Sequence, residues 1–262
     1  MMPALFIGHG SPDNAFENNA YSKTWKKLSL AIPIPNSIIC ISAHWTNYEN
    51  RDLRTSAVTD SSAPNTIYDF YGFPDNYYSF HYPAPGSTSL AQKIVESVHS
   101  TRIVKDSLRG LDHGAWSVLA QMYPKADIPV VQLSLDTNLT PEEHFRIGED
   151  LAKLRYEGVL VLGSGNIVHN LMKLSFSETY PWADDFDNFI KDSLVKKDFI
   201  SIKNYARHHA AKQSLPTDEH YLPLLYVAGA SEKQAPQFFN KSIFAGSISM
   251  RCVLYHDQVI SI

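Results

Sequence analysis

Residues 4–12 read ALFIGHGSP, an apolar run that ends abruptly in Gly-His-Gly. This pattern is typical of a short, fully buried strand that leads into a tight turn. The glycines on either side of His9 remove side-chain bulk, so the backbone there can approach a ligand closely. In open α/β sheets, ligands bind just beyond the carboxyl ends of the strands, which is where His9 lies. The segment therefore predicts a ligand site at one edge of a sheet.

Two further segments follow the same pattern. Residues 37–43 read SIICISA and lead to His44, and residues 159–166 read VLVLGSGN and lead to His169. We expect His9 and His44 to lie on neighbouring strands, so that both rings can reach one point. Imidazole is a common ligand of zinc and iron. Three buried strands that each deliver a histidine at the downstream end therefore indicate one metal-centred pocket.

The rest of the chain alternates between strand-like and helix-like segments, which indicates one α/β domain over residues 1–262. No linker rich in Gly or Ser divides the chain, and no internal repeat is present. Thr140, followed by Pro141 and by Glu143 three residues later, is typical of a helix start. Periodicity predicts helices over residues 13–31, 88–98, 116–122, 141–156, 182–196, 199–209 and 217–229. It predicts further strands over residues 102–105, 128–135, 243–250 and 251–255.

Two segments lack a regular period. Residues 47–65 are polar, with a short strand near residues 53–58, and are expected to form a surface excursion. Residues 68–85, called the aromatic segment below, combine many aromatic residues with Gly and Pro and need a surface to lie on. The aromatic segment is interpreted either as a loop packed over the sheet edge or as the wall of a flat pocket.

The composition is that of a globular protein without an unusual charge. With 44% hydrophobic residues, a net charge of −4 and a pI near 6.2, it gives no reason to expect nucleic acid or an anionic membrane as a partner. No run of eighteen apolar residues and no secretory leader is visible. Cys40 and Cys252 lie in apolar segments and are expected to be buried thiols rather than a disulfide or a zinc site. These features predict a cytoplasmic enzyme.

The eleven histidines differ in their settings. Five lie at a strand end, in a Gly-flanked loop or at a helix start, where a histidine is more often placed for binding or catalysis than for core packing. They are His9, His44, His113, His169 and His220. The others are interpreted as ordinary polar residues, and His208 and His209 as a poor chelate because neighbours on a helix point in different directions. The sequence contains no His-Glu-x-x-His motif, dinucleotide fingerprint or Gly-x-Ser-x-Gly elbow.

Seven segments together resemble the 4,5-DOPA extradiol dioxygenase family, which belongs to the class III extradiol ring-cleavage superfamily and is related to the catalytic subunit of protocatechuate 4,5-dioxygenase. The resemblance runs from Met2 to Arg251 in unchanged order. The segments are PALFIGHGSP (3–12), SAHW (42–45), DFYGFP (69–74), YPAPG (82–86), LDHG (111–114), GSGNIVHN (163–170) and EHYLPL (219–224).

The resemblance implies roles for individual residues. His9, His44 and His220 resemble the family's metal ligands, and His169 resembles its acid–base histidine, which is also counted as a further ligand. His113 resembles a pocket histidine near the oxygen and the substrate. The implied fold is a mixed or mostly parallel sheet with helices on both faces. One departure from the family pattern is a tyrosine at position 68, where relatives carry histidine, and another is the long stretch of residues 47–65.

Three residues are candidates for binding a planar substrate. Ser11 follows His9, and the rings of Trp116 and Tyr221 could stack on an aromatic substrate. Core packing explains the two rings equally well. The resemblance implies a small catechol and O₂ as reactants.

A catechol bound through two oxygens needs a metal that can pass electrons to O₂. Fe(II) can do this and redox-inert zinc cannot, so Fe(II) is expected for turnover, with Zn(II) as the metal of isolated protein. If a histidine assignment is wrong, Asp13, Asp112 and Glu219 are the candidate carboxylate ligands. A zinc hydrolase and a metal-binding scaffold with little catalysis remain as alternatives. The sequence leaves open the physiological catechol, the bond that is cleaved and the oligomeric state.

Overall fold

An eight-stranded sheet forms the centre of the computed structural model, which describes residues 1–46, 55–232 and 234–262. Its strands lie in the spatial order β4-β3-β5-β2-β6-β1-β10-β7, and β8 and β9 form a separate hairpin. In chain order the strands are β1 Ala4–Gly8, β2 Ser37–Thr46, β3 Thr55–Thr59, β4 Arg102–Asp106, β5 Val130–Leu135, β6 Val159–Gly165, β7 Pro236–Phe239, β8 Ile243–Phe244, β9 Ile248–Ser249 and β10 Cys252–Tyr255.

The sheet is mixed. Strand β6 pairs in parallel with both β1 and β2, β2 pairs in parallel with β5, and β3 with β4. The β1–β10, β10–β7 and β3–β5 pairs are antiparallel. The mostly parallel core and the α/β class confirm the predicted fold.

Helices cover both faces of the sheet, as the fold class predicts. Side chains of a strand alternate between faces, so Phe6 packs against one layer and Leu5 against the other. The first layer contains α2, α4, α5, α6 and α8, and the second contains α1 and α3. The helices are α1 Ala20–Ala31, α2 Thr88–Ser97, α3 His113–Met122, α4 Pro141–Leu151, α5 Pro181–Val195, α6 Phe199–Lys203, α7 Ala211–Ser214 and α8 Leu222–Gly229.

The expectation that β1 and β2 are neighbours is wrong, because β6 lies between them and hydrogen-bonds to both. A later strand can insert in this way because parallel strands are joined by crossovers rather than tight hairpins. All three strands still run in the same direction. Their carboxyl ends therefore meet at one edge of the sheet.

Several predicted helices differ at their ends: α3 begins at His113 and not at residue 116, and α4 ends at Leu151 and continues as a 3₁₀ turn. The helix predicted from residue 13 begins at Ala20, where Asn19 and Ser22 form a capping box, and Pro12–Ala15 is a separate 3₁₀ turn capped by Ser11. The helix predicted over residues 199–209 is broken into α6, a 3₁₀ turn and then α7. Helix α8 begins at Leu222, which places the following proline in the first turn, where its missing N–H costs no helical bond.

The C-terminal strands are also shorter than predicted. Only β8 and β9 form within residues 243–250, and β7 was not predicted at all. It is an edge strand that begins with Pro236 and is half-buried throughout, so it lacks the apolar run of a central strand. Strand β3 begins at Thr55, and residues 47–54 of the predicted surface excursion lie outside the described residues.

Cys40 and Cys252 are buried free thiols, which confirms their predicted state. A search of the described residues finds no helix with the length and apolar character that crossing a membrane requires.

A buried histidine links helices α4 and α8. His144 of α4 is fully buried, its Nδ1 lies 2.8 Å from the Tyr226 hydroxyl of α8, and burial lowers the pKa of His144 to about 4. In the unfolded chain a histidine has a pKa near 6.5. Between pH 6.5 and pH 4 the unfolded state therefore binds more protons, and stability is lost as the pH falls.

We expect His144→Leu to reduce the acid sensitivity of the fold. Between pH 7 and pH 5, the wild-type protein should lose about 2 kcal/mol more unfolding free energy than the variant. Urea denaturation at both pH values measures this difference. His99→Gln, at an exposed position, is the matched control and should behave like the wild type. Equal acid losses in wild type and His144→Leu would contradict the expectation.

Candidate metal centre

Three imidazoles form an even triangle beyond the carboxyl ends of β1, β2 and β6. The ring centres of His9 and His44 are 5.1 Å apart, those of His9 and His220 are 5.3 Å apart, and those of His44 and His220 are 5.0 Å apart. Imidazoles that bind one ion at about 2.1 Å with roughly tetrahedral angles place their ring centres about 5 Å apart. The triangle therefore fits a single metal ion.

The nitrogen atoms of the first pair support the same reading. Nε2 of His9 lies 3.1 Å from Nε2 of His44. Two nitrogen ligands at about 2.1 Å from one ion are roughly 3.0 to 3.4 Å apart, depending on the angle. Both Nε2 atoms are thus already at the spacing that ligands need.

His113 is a fourth imidazole near the triangle. By ligand-atom positions alone, two groups of described residues lie within 4.8 Å of one another: one is His9, His44 and His113, and the other is Asp185, His208 and His209. The ring centres of His44 and His113 are only 3.8 Å apart, however, which is closer than two imidazoles on one ion. The ring geometry therefore favours His220 as the third ligand, and the nitrogen distances leave His113 as the alternative.

His169 lies beside the triangle. Its ring stacks on the His220 ring, with 3.5 Å between the centres and 6° between the planes. Its backbone N–H donates to the carbonyl oxygen of Ser214 at 2.8 Å, which fixes the residue after β6. The stack places the His169 ring beside the His220 ring.

Burial keeps these rings neutral. Burial lowers the pKa values of His9, His44 and His220 well below the usual 6.5, and neighbouring histidines lower them further. Burial also lowers the pKa of His169 to about 4, against an opposing effect of Glu219. Neutral imidazoles have the lone pair that a metal ligand or a base requires.

Gly165 lets the loop before α8 approach the end of β6. The Asn166 N–H donates to the His220 carbonyl at 2.8 Å, and the His9 N–H donates to the Gly165 carbonyl at 3.0 Å. A Cβ atom at Gly165 would lie 2.1 Å from that same His220 carbonyl oxygen. The absence of a side chain is what allows the third imidazole to reach the other two.

We expect Gly165→Ala to displace His220 and to weaken zinc binding. The clash should cost about 1–3 kcal/mol of stability, and a misplaced ligand should lower zinc affinity at least about tenfold. Competition with a chelating dye measures the affinity. Gly148→Ala, whose Cβ would meet the Tyr226 carbonyl oxygen at 2.2 Å, is the matched control, with lost stability but unchanged zinc affinity. Unchanged affinity in both variants would contradict the positioning role of Gly165.

Asp69 is the functional residue that sequence reasoning missed. One carboxylate oxygen accepts hydrogen bonds from the His113 N–H at 2.9 Å and from Nδ1 of His113 at 3.0 Å. The other oxygen lies 3.7 Å from Nδ1 of His44. Partial burial would raise the pKa of Asp69, but the hydrogen bonds that it accepts from His113 lower it to about 2. The residue was visible within the DFYGFP motif, but the aromatic residues around it gave no reason to assign it a role.

The other carboxylates are engaged elsewhere. Asp112 is fully buried at the start of α3, where it accepts hydrogen bonds from Ser42 and Gln132. Asp13 accepts hydrogen bonds from Ser11 and Tyr77. Glu219 precedes the third imidazole and affects the pKa of the stacked one. Among the residues described, the histidines rather than these carboxylates form the triangle.

The candidate substrate residues lie in different surroundings. Trp116 is fully buried and donates from Nε1 to the Ile67 carbonyl at 2.8 Å. Tyr221 is fully buried and donates from its hydroxyl to the Ile202 carbonyl at 2.8 Å. Both placements favour core packing over substrate stacking. Ser11 is half-buried and lines a cavity of about 230 Å³ next to the turn that follows β1.

The aromatic segment packs over Trp116 of α3, a helix that covers one face of the sheet, and not over the sheet edge of its first interpretation. Phe70 lies 5.5 Å from the His113 ring and 6.0 Å from the Trp116 ring, so the segment also forms a wall beside the imidazoles. Tyr68, the departure from the family pattern, donates to the Phe80 carbonyl at 2.6 Å. This hydrogen bond joins two parts of the aromatic segment, and the same segment places Asp69 beside His113 and His44.

His208 and His209 do not lie within a helix, so the reason given for treating them as a poor chelate is wrong. Their rings are 4.4 Å apart, and each Nε2 lies near Asp185, at 3.7 and 2.9 Å. The Ala210 N–H donates to Nδ1 of His208 at 3.3 Å, so the ring proton of neutral His208 is on Nε2, facing the carboxylate. With Asp185, the two rings form a second group of described residues whose ligand atoms are close enough to hold a metal ion.

Several known proteins are similar to this chain over nearly its whole length. A 4,5-DOPA dioxygenase extradiol from Escherichia coli (strain K12) is 45% identical over 260 residues, covering 96% of this chain and 94% of that protein. A protein of the same name from Beta vulgaris is 36% identical over 256 residues, covering 94% and 93%. The crystal structure of an uncharacterized protein from Escherichia coli K12 superposes with a TM-score of 0.84 at 40% identity, covering 98% of this chain and all of that chain (100%).

A family match covers nearly the whole chain. Residues 3–249 match the family described as the catalytic LigB subunit of aromatic ring-opening dioxygenase. The match includes every histidine of the triangle and the stacked His169. Together with relatives that are named as extradiol enzymes, it supports extradiol ring cleavage. The chain therefore belongs to the LigB family of class III extradiol ring-opening dioxygenases.

Proposed function

We propose that this chain opens the ring of a DOPA-like catechol with O₂ at a ferrous ion held by His9, His44 and His220. The even triangle of their rings, 5.0 to 5.3 Å on each side, is the observation that carries the proposal. The catechol class comes from the names of the relatives, which are 4,5-DOPA dioxygenases. Extradiol cleavage itself follows from the family.

The charge of the ligand set suits this substrate. The usual ferrous oxygenase site has two histidines and one carboxylate. Three neutral imidazoles leave the site one unit more positive, and the low pKa values of His9, His44 and His220 keep them neutral at pH 7. A more positive site favours a deprotonated catecholate. Bound Fe(II) would supply the electron exchange between the catecholate and O₂, which zinc cannot supply.

His169 is proposed as the proton carrier. Its pKa of about 4 leaves the ring neutral at working pH but also makes it a weaker base than an ordinary histidine, so it would accept the proton of a catechol hydroxyl whose acidity the bound metal would raise. The stack on His220 holds the ring beside the ion, where that hydroxyl would lie. Returning the proton during ring opening completes the cycle without a net change of charge on the protein.

His113 is proposed to face the bound reactants with a defined tautomer. Because Nδ1 donates to Asp69 at 3.0 Å, Nε2 of neutral His113 has no proton and acts as an acceptor. That atom can accept a hydrogen bond from a substrate hydroxyl. The Asp69 carboxylate, with its pKa of about 2, is ionised at any working pH and keeps the ring oriented.

The test is turnover by the full-length protein after anaerobic loading with Fe(II). A panel of catechols that includes DOPA is added, air is admitted, and oxygen uptake and the yellow ring-opened product are recorded. The same protein loaded with Zn(II) is the control and should consume no oxygen. Absence of oxygen uptake with every catechol, at confirmed full iron occupancy, would refute the proposal. Ester or amide cleavage by the zinc-loaded protein would point to a hydrolase instead.

A further inference from the structure

We propose that Ser164 is a positioning residue that fixes the tautomer of His9 and so presents Nε2 of His9 to the metal. The inference rests on the proposed function only in taking His9 as a ligand. Ser164 is the sixth residue of β6, the strand between the two that carry His9 and His44. Both Ser164 and His9 are buried, with 0% and 1% of their surfaces exposed, so their hydrogen bonds do not exchange with bulk water.

The hydrogen-bond partners of Ser164 determine where its hydroxyl proton points. Oγ of Ser164 donates to the carbonyl oxygen of Gly114 at 2.6 Å, and a carbonyl oxygen can only accept. A serine has a single hydroxyl proton. Oγ also lies 2.9 Å from Nδ1 of His9, and with its proton used it can only accept there. Nδ1 of His9 must therefore carry the ring proton.

The consequence appears at the other side of the ring. A neutral imidazole with its proton on Nδ1 has an unprotonated Nε2. Nε2 of His9 lies 3.1 Å from Nε2 of His44. Ligating histidines normally donate their second nitrogen to a carboxylate, a carbonyl or water. Here the Ser164 hydroxyl accepts the hydrogen bond from His9 and itself donates to the Gly114 carbonyl oxygen of α3.

The relay also ties the ligand to α3. Gly114 is the second residue of α3, and a Cβ atom there would lie 2.4 Å from Oγ of Ser42 in β2 and 2.9 Å from Cδ2 of His44. The first turn of α3 is therefore packed directly against β2 and beside β6. Ser164 joins this turn to His9. A merely structural role would link β6 to α3 without any effect on the protonation of the ring.

The first measurement needs no variant. Long-range ¹⁵N–¹H correlation spectra of the metal-free wild-type protein report which nitrogen of His9 carries the proton, with His9→Gln used to assign the signal. We expect the Nδ1–H tautomer, and we expect Nδ1–H to persist when Zn(II) is added. A dominant Nε2–H tautomer in the metal-free protein would overturn the proposal.

The second measurement is zinc affinity without turnover. We expect Ser164→Ala to bind Zn(II) about 10- to 100-fold more weakly and to show mixed His9 tautomers. Ser164→Thr keeps the hydroxyl and should recover most of the affinity. Ser134→Ala is the matched control: this serine is also fully buried in a strand, but its hydroxyl accepts from the Ala57 N–H, so zinc affinity should not change.

These outcomes separate the inference from the proposed function. Loss of stability in Ser164→Ala with unchanged zinc affinity and an unchanged tautomer would show a structural link only and overturn the inference. If the His9 signals keep the expected tautomer but do not respond to zinc, the ligand assignment fails instead. Neither reading depends on whether the iron-loaded enzyme opens a catechol ring.

Discussion

His169→Ala is expected to lose most turnover while keeping its metal. The ring lies flat against His220 rather than at a corner of the triangle, so its removal leaves the three proposed ligands in place. A positioned acid–base group contributes about 10²–10⁴-fold to a rate, and we expect kcat to fall by that factor. The measurements are kcat with a catechol and iron content by elemental analysis, made on the same preparation.

His81→Ala is the control for this experiment, because His81 is exposed and its nearest polar partner is Thr66. Its kcat and iron content should match those of the wild type. If His169→Ala loses iron in proportion to turnover, the stacked ring is a ligand and not the proton carrier. A thermal unfolding curve for each variant shows whether the loss of the stack disturbs His220.

His220→Ala is expected to release the metal. Loss of a group that only orients a ligand costs about 10- to 100-fold in affinity, and loss of the ligand itself should exceed that range. His113→Ala should retain metal, because its ring centre is only 3.8 Å from that of His44 and does not complete an even triangle. Zinc dissociation constants for both variants, obtained with the same chelating dye, test this contrast.

The pair of variants also decides between two ligand sets. Full metal content in His220→Ala together with release from His113→Ala would assign His9, His44 and His113, the set that is closest by nitrogen distance. In that case Asp69 would be the carboxylate that accepts the Nδ1 proton of a ligating His113, whose Nε2 is free to bind the ion. Retention of metal by both variants would exclude both of these three-histidine sets.

The central strands could be predicted because their signals are local. β1 and β6 are apolar runs that end at a glycine, and β2 is an apolar run that continues past His44 to Thr46; their burial on both faces is typical of central strands. The same holds for α4, whose capping box at Thr140 is present as predicted. The resemblance to a family then brought the separate histidines together before any distance was known.

The order of the strands and the role of Asp69 could not be predicted, because they depend on long-range contacts. Nothing local in β6 shows that it inserts between β1 and β2. Asp69 lies on an irregular segment, and its partners are 25 and 44 positions away in the chain, at His44 and His113. The break after α6 has the same cause: periodicity favours one helix over residues 199–209, but tertiary packing overrides such preferences.

The aromatic segment places a constraint on how this enzyme can diversify. The same stretch that forms a wall beside the imidazoles also carries Asp69, whose carboxylate orients His113 and faces His44. Substitutions that reshape this wall for a different substrate would also move the Asp69 carboxylate, which orients His113. Changes of substrate preference and changes of reactivity at the metal are therefore coupled through this wall.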